Sequence, residues 1–369
     1  MTTLTKRPTV EEWLATATMI GVMLIGFWQA TVSLNSPAVK EISVTLSSFR
    51  EGSLTGSLSN QLDKNLPIRS ELIAWANTGR YLLIQGAGDQ VRVGKDNWLF
   101  SVEELQYFKD AQAHQVARLA ILKRASEALE GEDIKLIVAL VPDKARMNER
   151  QLSNGTYPIW YSRRYDEIIK NLNESSVAVV DLQSALTSDA KTRPLYYRTD
   201  THWNQAGAQR AADAVAKRII SIAAELPANG FMTKSYEGPI QKSGDLIRMM
   251  GLEKMPDWAR PQPDVEVTER TIKSGSAPTA GLFDAVSIPV VLLGTSYSLR
   301  ANFHGYLQEA LGTEVLNVAR DGGGFIQSAK DYLADESFKT SKPRVIVWEI
   351  PERMFSAPLT DLEKKDLLL

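Results

Sequence analysis

Five apolar runs, separated by stretches of helical character, constrain this chain more than any other feature. They lie at 134–141 (IKLIVALV), 177–180 (VAVV), 288–293 (IPVVLL), 315–318 (VLNV) and 344–350 (RVIVWEI). Most of these runs are continuously apolar, without the polar alternation of a half-solvated strand. That is the pattern of strands covered on both faces. Helical stretches fall at about 101–129, 161–172, 205–222 and 299–311, and another precedes the last run. Such alternation predicts an α/β fold with a mostly parallel central sheet. In open sheets of this kind ligands bind beyond the carboxyl ends of the strands. The segments after Pro142, Gly294 and Gly322 are therefore where a site is expected.

A second feature sets the compartment. Residues 14–39 carry no charge and include the run MIGVMLIGFW at 19–28. That length crosses a hydrocarbon core of about 30 Å as a helix. Lys6 and Arg7 precede it, although Glu11 and Glu12 lie closer. Basic residues stay on the cytoplasmic side, which places the bulk of the chain outside the cytoplasm. No small-x-small cleavage site directly follows the apolar core, which favours an uncleaved anchor over a signal peptide. The expected organisation is a cytoplasmic tail and transmembrane signal anchor at 1–40, then a connector with a helical region at 41–90. The α/β domain follows at 91–369. It opens with a hairpin at 91–100, and about 227–287 forms an irregular insertion rich in Pro, Gly, Lys and Asp.

Composition removes several function classes. The net charge of −2 gives no basic surplus for nucleic acid. The absence of cysteine excludes disulfides, thiolate nucleophiles and Cys-ligated metals. The three histidines, His114, His202 and His304, leave little to build a multi-histidine metal site, so none is expected.

Two segments carry chemistry: Asp200-Thr201-His202-Trp203 and Gly294-Thr295-Ser296-Tyr297-Ser298. Ser296 falls just past a buried strand and just before a helix, where backbone N–H groups face developing negative charge. A serine hydroxyl needs an adjacent base, and His202 is the candidate, with Asp200 to hold its tautomer. Each motif alone is weak, since serine is also a common turn or N-cap residue. Gly323 and Gly324 follow a strand, where their amides could complete an oxyanion hole or simply make a tight turn. Arg320 could orient an acceptor or form a surface ion pair. Tyr297 could stack on a sugar or lie half-buried in the core, and Trp203 flanks the histidine. Lys144 and Arg146 read as a solvated charge pair, and Glu349 and Glu352 as buried partners fixing the sheet.

Taken together, these motifs resemble the alginate O-acetyltransferase family, periplasmic SGNH-like enzymes of exopolysaccharide export. The matching segments also include 93–100 (VGKDNWLF), 141–144 (VPDK) and 348–353 (WEIPER), in the family's order. The resemblance implies a three-layer SGNH-hydrolase-like fold, with Ser296 as nucleophile, His202 as base and Asp200 as its partner. It implies acetyl transfer through a serine ester to hydroxyls of an exported polysaccharide of alginate or cellulose type. No cofactor is implied. The acetyl group comes from an MBOAT-type membrane acyltransferase, beside other export and acetylation proteins of the inner membrane. Because the chain ends soon after Arg353, no carbohydrate-binding module is expected. The residues themselves leave two alternatives open: an esterase or deacetylase using the same triad with water, or a non-catalytic polysaccharide-binding subunit.

Overall fold

Strands of Val, Ile and Leu buried on both faces have no solvent side, so successive residues must serve two different cores. The computed structural model, which describes residues 10–35, 45–65, 69–190, 193–223, 226–227, 230–274 and 288–367, shows this arrangement. A five-stranded parallel sheet is formed by β3 (Lys135–Val141), β4 (Ala178–Asp181), β7 (Val290–Leu293), β8 (Val315–Asn317) and β9 (Val345–Pro351). Its order is β4-β3-β9-β7-β8. Ile137, Ala139 and Val141 of β3 join Val345, Val347, Val290 and Leu292 in one cluster. Their neighbours Leu136, Val138, Leu140, Ile346, Trp348, Val291 and Leu293 belong to the other. The helix Gln205–Ile222 lays Ala208, Ala211, Ala212, Val215 and Ile219 on the first face. The helices Ala111–Glu130 and Arg164–Glu174 lay Ile121, Leu122, Ile168 and Leu172 on the second. The result is the three-layer α/β fold expected.

Two smaller sheets decorate this domain. β1 (Val91–Val93) and β2 (Leu99–Ser101) form the expected hairpin. Asp96 and Asn97 occupy the left-handed region in its turn, with φ of 52° and 58°. β5 (Phe231–Lys242) and β6 (Asp264–Lys273) pair antiparallel with a shift between Ser235 and Pro239. The stretch read as an irregular insertion therefore contains a long ribbon; residues 275–287 lie outside the described residues. Most side chains of the ribbon are exposed or half-buried, so it lacks the apolar stripe that would reveal strands in the sequence.

The chain divides into two compact units, Met1–Arg80 and Tyr81–Leu369. The first contains the helix Val10–Leu34, whose stretch Thr16–Leu34 is long and apolar enough to cross a membrane. It also contains the helices Leu46–Arg50 and Ser53–Asn65, in the part of 41–90 that reads as connector before its helical region. Thr45 starts the first of these with a reciprocal capping box to Ser48, a signal hidden among many serines.

Candidate active site

The carboxyl ends of β3, β7, β8 and β9 open onto one edge of the sheet, and the chemistry-bearing residues gather there. β7 ends just before Gly294, where a side chain has no room: a Cβ would sit 2.6 Å from both Glu349 Oε2 and Ser298 Oγ. Glu349, fully buried on β9, accepts the Thr295 backbone N–H at 2.7 Å and the Ser298 hydroxyl at 3.0 Å. The Thr295 hydroxyl also donates to this carboxylate, at 3.0 Å. Burial pushes the Glu349 carboxyl up, opposed by these same hydrogen bonds. The short helical turn Ser296–Leu299 thus begins from an anchored residue, and Ser296 stands half-buried at its start.

Asp200 and His202 arrive on a tight loop closed by the Tyr196–Trp203 bridge and ended by Asn204, which caps the helix Gln205–Ile222. His202 Nδ1 lies 2.6 Å from Asp200 Oδ1, and Nε2 lies 2.7 Å from Ser296 Oγ. A carboxylate only accepts, so Nδ1 carries the proton and Nε2 is free to accept from the serine hydroxyl. Burial alone would raise the Asp200 pKa. Hydrogen bonds from the His202 ring and from the backbone N–H groups of His202 and Asp245 outweigh it, holding the carboxyl well below its ordinary value. The three residues line a cleft of about 600 Å³.

Residues 91–352 match the family described as SGNH hydrolase-like domain, acetyltransferase AlgX. The chain belongs to this family. It is 30% identical over 352 residues to the probable alginate O-acetylase AlgJ of Pseudomonas syringae pv. tomato, covering 92% of this chain and 87% of that one. The corresponding protein of Azotobacter vinelandii is 31% identical over 309 residues, 82% of this chain and 79% of its own. The solved O-acetyltransferase domain of Pseudomonas putida AlgJ superposes with a TM-score of 0.67 at 28% identity, covering 75% of this chain and 98% of that one.

Around the cleft of this acetyltransferase, the structure chooses between the readings that the sequence left open. Trp203 is fully buried, packed against Tyr297 and Phe303 at centroid distances of 4.9 Å each. Tyr297 is also fully buried; its hydroxyl donates to Thr201 O at 2.9 Å and its ring lies 4.8 Å from that of His202. Neither ring can stack on a substrate; both wedge the histidine loop against the serine turn. Arg320 pairs with Asp331 at 2.9 Å and lies outside the residues lining the cleft. The Gly323 N–H already donates to Arg320 O at 3.2 Å, so it is not a vacant oxyanion donor. Gly324 does not line the cleft, whereas Gly322 does.

Other residues were less legible. Lys144 is fully buried rather than solvated, and its ammonium donates to Leu99 O at 2.5 Å, Arg198 O at 3.0 Å and Asp200 O at 2.8 Å. Burial lowers its pKa to about 8, countered in part by Glu104 and Asp200. Arg146 pairs with buried Glu352 at 2.5 Å, and Arg164 joins Glu352 to Asp143. Asp245, on the short helix Asp245–Met249 after β5, accepts the Thr201 N–H at 2.7 Å. Gly244 permits this approach, since a Cβ there would fall 2.0 Å from Thr199 O. The sequence offered only a Gly-Asp pair at a helix start, too common a signal to single out. Asp200, His202 and Asp245 place ligand-type atoms within 4.8 Å of one another. Both ring nitrogens of His202 already have partners, so this trio is a hydrogen-bonded cluster.

Proposed function

We propose that this acetyltransferase moves acetyl groups through a Ser296 ester onto hydroxyls of an exported polysaccharide in the periplasm. The single observation that carries the residue assignment is the unbroken relay Ser296–His202–Asp200, with contacts of 2.7 and 2.6 Å in one cleft. His202 Nε2 takes the Ser296 proton as Oγ attacks the acetyl carbonyl of the donor. The tetrahedral intermediate collapses, and the donor's leaving oxygen departs with that proton. A sugar hydroxyl then gives its proton to His202 and attacks the acetyl-serine, releasing the sugar ester as His202 returns the proton to Ser296. Asp200 keeps Nδ1 protonated and stabilises the imidazolium. The backbone N–H of Ser296, at the strand-to-turn junction, faces the oxyanion of each intermediate.

A polysaccharide acceptor and an exopolysaccharide pathway follow from relatives named alginate O-acetylase and alginate biosynthesis protein. The apolar N-terminal helix fits an inner-membrane anchor that holds the catalytic domain on the periplasmic side. An MBOAT-type membrane acyltransferase supplies the acetyl group, and no cofactor takes part. To test this, the full chain in detergent, as wild type and as Ser296→Ala, is incubated with p-nitrophenyl acetate and with mannuronate or glucose oligosaccharides. Mass spectrometry follows protein and sugar. Acetylated sugar and a transient acetyl on Ser296, both absent from the variant, are expected. Equal sugar acetylation by Ser296→Ala would sink the assignment, and acetate release without acetylated sugar would make the chain an esterase.

A further inference from the structure

Beside the catalytic cleft, two large aromatic rings are left in water. Tyr107 is 64% exposed and Trp160 is 52% exposed, and their rings meet edge to face at 6.1 Å. They are not loose. The neighbouring Tyr161 is buried; its hydroxyl accepts the Phe108 N–H at 3.2 Å and donates to Gln106 O at 2.9 Å. This clamps the 106–108 turn to the short helical turn Ile159–Tyr161. A fixed, exposed apolar surface marks an interaction site more often than an accident of folding.

Its location says what it meets. The strand and turn from Phe100 to Gln106 form one wall with two sides. Ser101, Val102 and Gln106 line the cleft that holds Ser296. Phe100 and Leu105 line a second groove of about 920 Å³, with Tyr157, Trp160, Arg92 and Asn154. Gln106 and Tyr107 are adjacent, so the aromatic pair begins about 3.8 Å along the backbone from a residue of the catalytic cleft. A polymeric acceptor cannot fit within the cleft and must leave it over a neighbouring surface. A pyranose ring presents apolar C–H faces with hydroxyls around its edge. Aromatic faces next to polar side chains complement such a ring.

We propose that Tyr107 and Trp160 form a saccharide-binding platform that holds the acceptor chain beside the catalytic cleft. The ligand class rests on the polysaccharide-acceptor reading above, but binding is read without turnover. The full chain carrying Ser296→Ala is titrated in detergent with long and short oligosaccharides, alone and with Trp160→Ala, Trp160→Tyr or Tyr107→Ala added. The alanine variants weaken binding of the long oligosaccharide by about tenfold, or about 1.4 kcal/mol. They alter the short one far less, and Trp160→Tyr restores most of the affinity. Long-chain affinity that survives both alanine changes overturns the platform and leaves the surface to a protein partner. So does the failure of every oligosaccharide to bind. If binding behaves as stated but the active chain acetylates no sugar, the acceptor reading fails while the platform stands.

Discussion

The Glu349 carboxylate, in the last strand of the sheet, holds the backbone N–H of Thr295 at 2.7 Å, one residue before the reactive serine. It also accepts both the Thr295 and Ser298 hydroxyls, so one buried side chain sets the start of the serine turn. Glu349→Gln replaces one of the two acceptor oxygens by an NH2 group where three donors converge. A lost donor–acceptor match in a buried site costs about 1–3 kcal/mol. We expect a drop in turnover of about tenfold or more with the fold retained, read by p-nitrophenyl acetate hydrolysis beside a thermal melt. Unchanged turnover would show that the serine turn holds its place without Glu349.

Gly294 tests the same junction through sterics. A methyl group there would fall 2.6 Å from Glu349 Oε2 and Ser298 Oγ, closer than real Cβ contacts. Gly294→Ala must displace one of these anchors, and overpacking of this kind costs about 1–3 kcal/mol. Loss of turnover is expected to exceed the loss of thermal stability, because the strain falls on the residues that aim Ser296. Wild-type activity in this variant would mean that the junction yields without moving the serine.

How much of this was legible in the sequence differs by the range of the interactions. The parallel sheet was legible because strands covered on both faces write continuous apolar runs. The Asp200–His202 pair was legible because a two-residue separation is short enough for both side chains to meet on one loop. Lys144 was not, since its burial depends on carbonyls of Leu99, Arg198 and Asp200, far away in the chain. Trp203 and Tyr297 have the residue types of a sugar platform, yet they face inward. Which way a ring turns next to a reactive residue is decided by packing against distant partners such as Phe303. The ribbon of β5 and β6 escaped notice because it buries neither face completely.

Buried Glu104 gives a stability signature in pH. Its Oε2 accepts the Ala145 N–H at 2.8 Å, and its Oε1 has no partner. Burial, reinforced by Asp143, raises its pKa from 4.5 to about 8. The folded state therefore binds a proton that the unfolded state has released between these two values. Its contribution to stability is fully present below about 4.5 and is lost as pH rises towards about 8. Glu104→Gln removes this proton, so the stability of wild type relative to the variant should fall by about 1.4 kcal/mol per pH unit across that window. Chemical denaturation at several pH values measures it. A constant difference would show that Glu104 is ionised in the folded protein.

Tyr297→Phe separates a buttress from a binding residue. The hydroxyl donates to the buried Thr201 carbonyl, between Asp200 and His202, and the ring packs edge-on to the imidazole. Removing the hydroxyl leaves a buried acceptor unpaired, at a cost of about 1–3 kcal/mol in stability. The ring contacts remain, so the histidine stays wedged. The expected outcome is a lower melting temperature, a modest fall in kcat and an unchanged KM for any acceptor sugar. Tyr297 is fully buried, so no sugar can reach it in this conformation. A rise in acceptor KM with stability unchanged would require the loop to open and expose the ring during the reaction, reversing the role assigned to it.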